Sequence, residues 1–457
     1  MPPRPSDTRN DLISGSLWIS IWRISWPIVL IMLLNFSVGV VDVYVAGLIG
    51  PEVQAAVGFI SQIYFFVVIV ANAISIGTLA VISRAVGSRN WERAIEVARQ
   101  SLIFSFFVAI GIMLMGFVFS REIVVLAGLP EGITRLSERL FRIFAAALAA
   151  NYVLIVSNAV FRASGEVRRP LFTMAIVSAV NIAGNFLFVF GAGPFPGMGP
   201  AGIAVAAAVS LASGMAVNLV QLKGGQWESF YRGSWRLSKE TLQLIVALGW
   251  PAALLQIAWN AGTIVLYNIL ARFGDASVTA LASITNGLRI EAIVYLPAFA
   301  LNMASSVLVG QSLGASDPDR AERVGWRIAK AGVLLVCAMS VVIFAWADRF
   351  SSLVASDPAV REETARYLRI NMVSEPFMAL SAALGGGLQG AGDTKGAMWV
   401  IVLSMWIVRL PLAYLFGLTL GLGATGVWVS MVISMALQGS LMAARFRRGG
   451  WKDLKVG

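Results

Sequence analysis

One carboxylate, Asp42, sits near the outer end of the first long apolar run, in the stretch Val41-Asp42-Val43-Tyr44-Val45-Ala46-Gly47. An acid at membrane depth costs roughly 2.5–3.5 kcal/mol on insertion scales, so it persists where something pairs with it or uses it. The competing reading is a solvated acid at a helix end, because Gly47 and Gly50-Pro51 follow closely. Later apolar runs supply carboxamides: Asn158, then Asn181 and Asn185, which are four apart and share one helix face. If the helices carrying them pack beside Asp42, the group is suited to relay a proton or to hold Na⁺, since hard cations take oxygen ligands. The same amides also read as interhelical glue, worth roughly 0.6–2 kcal/mol each.

A second set lies further on. Arg289 and Glu291 are both unusual inside a span, but residues two apart do not share a helix face, so each must find partners on other helices. A structural ion pair is as good a reading as an ion or substrate role. Glu375, just before Pro376, is a third acid candidate, with a solvated helix end as its alternative, while Arg409 near Pro411 reads as structural. With one cysteine and no histidine, an internal disulfide and a thiolate metal site are excluded, and no nucleophile and base cluster is visible. No catalytic residues, metal or cofactor are therefore expected. Proton handling near neutral pH falls to carboxylates.

The elements that must position these residues are membrane spans. The chain of 457 residues is 58% hydrophobic and only 13% charged, which excludes a soluble multidomain protein. Apolar runs long enough to cross about 30 Å recur about twelve times, giving an all-α polytopic membrane protein. An amphipathic approach at 12–23 precedes Trp26-Pro27, which opens helix 1, running to about Leu48. The expected spans that follow are 53–82, 97–119, 141–162, one after Pro170, and one ending at Lys223. The second series opens at Gly249-Trp250-Pro251 and continues with 278–311, 325–346, 366–389, 396–418 and 424–444. Residues 1–222 form a first lobe, the polar joint 223–240 a linker, and 241–457 a second lobe. Met1 to Asn10 has no short apolar core with a cleavage site, so no removable signal is expected there.

The net charge of +11 sits in short joints and near the ends, a topology signal and not a nucleic-acid stripe. Alternate joints hold most of the Lys and Arg, which puts both termini on the cytoplasmic side; Arg349, Arg361 and Arg366 weaken the contrast in one joint. An internal repeat accompanies this layout. At a shift of about 224 to 227 residues, Trp26-Pro27 meets Trp250-Pro251, Gly87 meets Gly314, Gly165 meets Gly392 and Gly202 meets Gly426. Two six-helix halves starting on the same side imply parallel repeats around a central cleft. The halves differ where Asp42 stands: its counterpart lies near Val265 and Leu266, so buried acid chemistry is concentrated in the first lobe.

These landmarks, taken with Phe161-Arg162-Ala163-Ser164-Gly165, Arg289-Ile290-Glu291, Gly310-Gln311-Ser312-Leu313-Gly314-Ala315 and Leu388-Gln389-Gly390-Ala391-Gly392-Asp393-Thr394, resemble the multidrug and toxic compound extrusion family over nearly the whole chain. The resemblance implies a twelve-helix, two-lobe antiporter that exports amphipathic, often cationic compounds in exchange for H⁺ or Na⁺, in a bacterial-type cytoplasmic membrane. Its partners would be small amphipathic molecules and membrane lipids, with no nucleic acid, and the chain is read as a monomer. It resembles the branch in which the helix 1 acid, here Asp42, is central. The positions matching the acids of the other branch are Trp259 and Met378, and Asn185 stands where some relatives have Asp, which disfavours tight Na⁺ binding. Two rival functions remain at this stage, a Na⁺-coupled multidrug antiporter and a lipid-linked oligosaccharide flippase of similar architecture. The flippase would want a strongly cationic cleft, and few Arg lie in spans.

Overall fold

A computed structural model describes residues 16–125, 130–192 and 195–454. The leader reading for Met1 to Asn10 and the tail residue Lys455 lie outside them. The apolar runs become long helices punctuated by Gly and Pro. Helix α1 (Leu17–Ile49) ends at Gly50, and Pro51, whose missing N–H costs nothing in a first turn, starts α2 (Pro51–Gly87). Next come α3 (Trp91–Val118), the short α4 (Ser120–Val125), α5 (Glu131–Ala146), α6 (Leu148–Ala163) and α7 (Arg168–Phe190). A two-residue ribbon, β1 (Gly191–Ala192) and β2 (Phe195–Pro196), then leads into α8 (Pro200–Gln221). The strands are antiparallel, with Gly191 opposite Pro196. The second series is α9 (Lys239–Leu270), α10 (Ser277–Gly314), α11 (Pro318–Ala345), α12 (Ala347–Val354), α13 (Pro358–Asn371), α14 (Glu375–Ala391), α15 (Thr394–Leu403), α16 (Leu410–Tyr414) and α17 (Gly423–Arg448).

Among the described residues ten helices are long and apolar enough to cross a membrane, and α5 with α6 makes an eleventh, bent by 47°. At that bend the Ala147 N–H is shared between the carbonyls of Ile143 (3.3 Å) and Phe144 (3.1 Å), a local tightening that turns the axis. The expected single span at 141–162 is thus part of a longer broken one. The twelfth is α14, only 17 residues long. The expected span at 366–389 breaks at residues 372–374, where the Ser374 N–H returns to the Asn371 carbonyl and Pro376 offers no donor. Helix 3 starts earlier than expected, because Asn90 caps it, accepting from the Arg93 N–H at 3.0 Å.

The chain divides into two compact units, 26–250 and 251–454, the second including 16–25. Both boundaries fall at Trp-Pro pairs inside helices, where proline removes a ladder hydrogen bond. Local geometry repeats between the halves. Arg89 and Ser316 both adopt left-handed φ values, 61° and 59°, just before the caps Asn90 and Asp317. Gly165 and Gly392 do so at 83° and 91°, a conformation that glycine adopts without steric cost.

Within the first unit, α7 and α8 form a tight antiparallel pair around buried Val45, Val189, Ile203 and Ala204. A Cβ on Gly202 would lie 2.5 Å from the Phe188 backbone, so only glycine allows this approach. The joint before α9 is held against α3 and α7. Arg99 is buried and donates to the carbonyls of Phe230 (2.8 Å), Ser234 (2.9 Å) and Ser229 (3.3 Å), and the Trp227 indole N–H donates to Glu166 at 3.2 Å. The second unit packs around Leu266, Ile284, Val294, Tyr367 and Trp428.

Candidate functional site

Helix α1 presents Asp42 two turns beyond Leu34, and α7 presents Ser178, Asn181 and Asn185 on one face. Ser178 donates its hydroxyl to the Leu34 carbonyl at 3.4 Å, and Asn185 Nδ2 donates to Asp42 Oδ1 at 2.7 Å. Contacts eight residues apart on α1 and seven apart on α7, in the same order, mean that the two helices run side by side in parallel. Asn185 Nδ2 also donates to Asn181 Oδ1 at 3.1 Å, so one amide group bridges the carboxylate and the second asparagine. Asn181 and Asn185 are completely buried, whereas Asp42 is partly exposed.

Two polar atoms of this cluster, Asn181 Nδ2 and Asn185 Oδ1, are buried without a hydrogen-bond partner among the described residues. Among the described residues Asp42 enters no ion pair. A carboxylate held by one amide donor, with an orphan donor and an orphan acceptor beside it, has capacity for one more small species. Helix α1 is also built to deform: Pro27 lies inside it, and Asn35 and Ser37 return their side chains to the Ile31 and Leu33 carbonyls at 3.0 and 2.9 Å.

Asn158 does not join this group. Its Oδ1 accepts from Asn218 Nδ2 at 2.8 Å, and its Nδ2 faces Met174 Sδ at 3.9 Å. Met174 precedes Asn181 by seven residues on α7, about 10 Å along the helix axis. Asn218 also donates to Ser157 Oγ (2.8 Å) and accepts from Thr173 Oγ1 (2.6 Å), which in turn accepts from Gln221 Nε2 (3.0 Å). This network ties α6, α7 and α8 together with every bond neutral. Asn218, its centre, carries no sequence signal beyond being an amide in an apolar run.

The second unit brings Glu291 and Glu375 into one buried cluster with Arg409, Tyr295 and Tyr367, whose charges and dipoles act on one another. Tyr295 lies one turn after Glu291 on α10 and donates to its Oε2 at 3.2 Å. Arg409 sits in a π-helical stretch, Ser404–Arg409, between α15 and α16. It donates to Ser434 Oγ at 2.8 Å, with its guanidinium 5.2 Å from the centre of the Trp259 ring. Among the described residues, Glu291 Oε1 and Glu375 Oε2 have no hydrogen-bond partner. Arg289 is exposed and stands apart from this cluster, as its offset of two residues from Glu291 requires. In the sequence Arg409 reads as structural, and neither Tyr295 nor Tyr367 stands out. The available signals were an arginine inside an apolar span and a tyrosine four residues from a buried acid. Trp259 covers that arginine and Met378 is buried in the core, so both positions have packing roles. Among the described residues no group of three His, Cys, Asp or Glu is placed to hold a metal.

Residues 27–187 and 251–415 match the family model described as MatE. The uncharacterized transporter YisQ of Bacillus subtilis (strain 168) is 25% identical over 433 residues, 94% of each chain. A probable multidrug resistance protein NorM of Thermotoga maritima is 24% identical over 430 residues, 93% of this chain and 90% of its own. Among solved structures, a MOP superfamily transporter from Pyrococcus furiosus aligns with a TM-score of 0.86 at 21% identity, covering 97% of this chain and 98% of that one. The Vibrio cholerae MATE transporter VcmN, in an aspartate-to-asparagine form, aligns with a TM-score of 0.85 at 21% identity, covering 95% and 97%. At such identities the structural likeness speaks for the fold, all-helical with twelve spans in two lobes.

Proposed function

The chain belongs to the MatE family of MATE transporters, and from that premise we propose that it is a proton-coupled antiporter in which Asp42 is the coupling acid. It exports amphipathic, often cationic compounds by alternating access, with both termini cytoplasmic. The observation that carries this reading is the Asp42, Asn181 and Asn185 cluster, with a lone amide donor on the carboxylate and two unpaired polar atoms beside it.

The single negative charge of the cluster, one carboxylate beside two neutral amides, favours H⁺ over Na⁺. Asn185 aims its NH₂ at both Asp42 and Asn181, so the cluster presents no set of converging oxygens, which a Na⁺ site needs. A proton taken up by Asp42 needs only one acceptor, and Asn185 Oδ1 is available after rotation of its amide. Protonation removes the charge that attracts a cationic substrate and lowers the cost of closing the site away from water. Deprotonation on the other side restores both. Opposition of proton and substrate is thereby built into one group, acting directly or through the deformable helix α1.

The test is export of a fluorescent cationic dye from proteoliposomes in which a proton gradient and a Na⁺ gradient are imposed separately. Export driven by the proton gradient alone is expected. Export driven by Na⁺ alone would transfer the coupling role away from this reading.

A further inference from the structure

Beside the joint that precedes α9 lies a groove of about 620 Å³, lined by Phe104, Leu237, Lys239, Leu242, Gln243, Val246, Ala247 and Trp250. The α9 positions are spaced at i, i+3, i+4, i+7, i+8 and i+11, a single stripe on one helix face. Their chemistry is graded. The polar members, Lys239 and Gln243, stand at the first turn of α9, and the rest of the wall is apolar down to Trp250. From Lys239 to Trp250 the helix rises about 16 Å. That is about half of a 30 Å hydrocarbon core, the depth of one leaflet.

The mouth is a fixed structure. Ser238 N–H donates to Gln100 Oε1 on α3 at 3.1 Å, and Ser238 Oγ accepts from the Thr241 N–H at 3.4 Å as the helix begins. Arg99 holds the preceding carbonyls, so Arg236 and Lys239 are presented at a defined place. Phe104, one turn deeper than Gln100 on α3, forms the facing wall. Arg236 and Lys239 are exposed, with Glu240 beside them; Glu96, which accepts from Gln100 at 2.9 Å, is paired with Arg93 at 3.0 Å. The surplus at the mouth is therefore positive, above an apolar slot one leaflet deep.

We propose that this groove binds an anionic phospholipid of the leaflet on the linker's side, with its phosphate at Arg236 and Lys239 and one acyl chain along Leu242, Val246, Ala247 and Trp250. A cationic substrate is disfavoured there by the two basic side chains, so the groove is distinct from the export site. The inference does not depend on Asp42 or on the coupling ion.

The test is native mass spectrometry of the delipidated full-length protein titrated with phosphatidylglycerol, phosphatidylcholine or oleate. The first phosphatidylglycerol adduct is expected to bind at least about fivefold more tightly than phosphatidylcholine, and each cation removed by Arg236→Ala or Lys239→Ala should weaken it about fivefold. Ala247→Trp, which fills the slot and leaves the mouth intact, should abolish the preference, whereas Lys330→Ala on α11 should leave it unchanged. Equal affinity for the two phospholipids, or a preference untouched by both the mouth and the slot variants, overturns the proposal. Oleate binding as tightly as phosphatidylglycerol overturns the phospholipid assignment in favour of a fatty acid.

Discussion

Replacing Asn218 with leucine removes the centre of the α6, α7 and α8 network while keeping the branched shape of the side chain, in a somewhat larger volume. Three side-chain hydrogen bonds are lost: to Ser157 Oγ at 2.8 Å, to Asn158 Oδ1 at 2.8 Å and from Thr173 Oγ1 at 2.6 Å. Interhelical bonds in membranes average about 0.6 kcal/mol and reach about 1.7, so the loss amounts to about 2 kcal/mol and at most about 5. Asn158→Leu removes only one of these bonds and should cost about 0.6–1 kcal/mol. Both variants should lower the thermal midpoint in detergent in that order, while dye export per folded molecule and its response to the proton gradient stay at the wild-type level. The opposite pattern, with stability unchanged and proton response lost in Asn158→Leu, would refute the assignment of Asn158 to structural glue and return it to the coupling site.

Asn185→Asp places a second carboxylate beside Asp42 and supplies the oxygens that the wild-type cluster lacks; Na⁺-driven dye export should appear, at least about tenfold above wild type, since Na⁺ is attracted by paired anionic oxygens. Arg99→Ala frees three backbone carbonyls of the joint, each a charge-assisted bond worth about 1.5–3 kcal/mol, so limited proteolysis between residues 225 and 238 should accelerate at least about tenfold. A cleavage rate equal to that of wild type would mean that the aromatic packing of Trp227 and Phe230 alone holds the joint.

Sequence patterns made the first-unit site partly legible. An acid in an apolar run and two amides four residues apart are visible in one dimension, and a shared helix face follows from the 3.6-residue period. Which helices become neighbours is not contained in that period. Asn158 illustrates the difference: it has the right residue type, yet α6 delivers it to Asn218, about 10 Å from Asn181 along α7. The second-unit cluster was readable as isolated acids, but its arginine depends on a π-helical stretch beside Pro411, and periodicity does not encode that distortion. Helix ends moved for similar local reasons. Charged first turns such as Trp91 to Glu96 look like a joint but continue the helix, because Asn90 caps it and Arg93 pairs with Glu96 at 3.0 Å. The repeat was the more secure inference, since the residues that carried it also repeat backbone geometry, in Gly165 with Gly392 and in the turns at Arg89 and Ser316.

The measurement that bears most directly on the proposed mechanism is dye export by Asp42→Asn in proteoliposomes under an imposed proton gradient, at matched protein level and with substrate binding measured in the same preparation. The asparagine keeps the hydrogen bond to Asn185 possible but cannot exchange a proton. Proton-driven export is expected to fall to the protein-free level while the protein remains folded. Export at the wild-type rate would contradict the account and move the search for the coupling acid to Glu291 and Glu375.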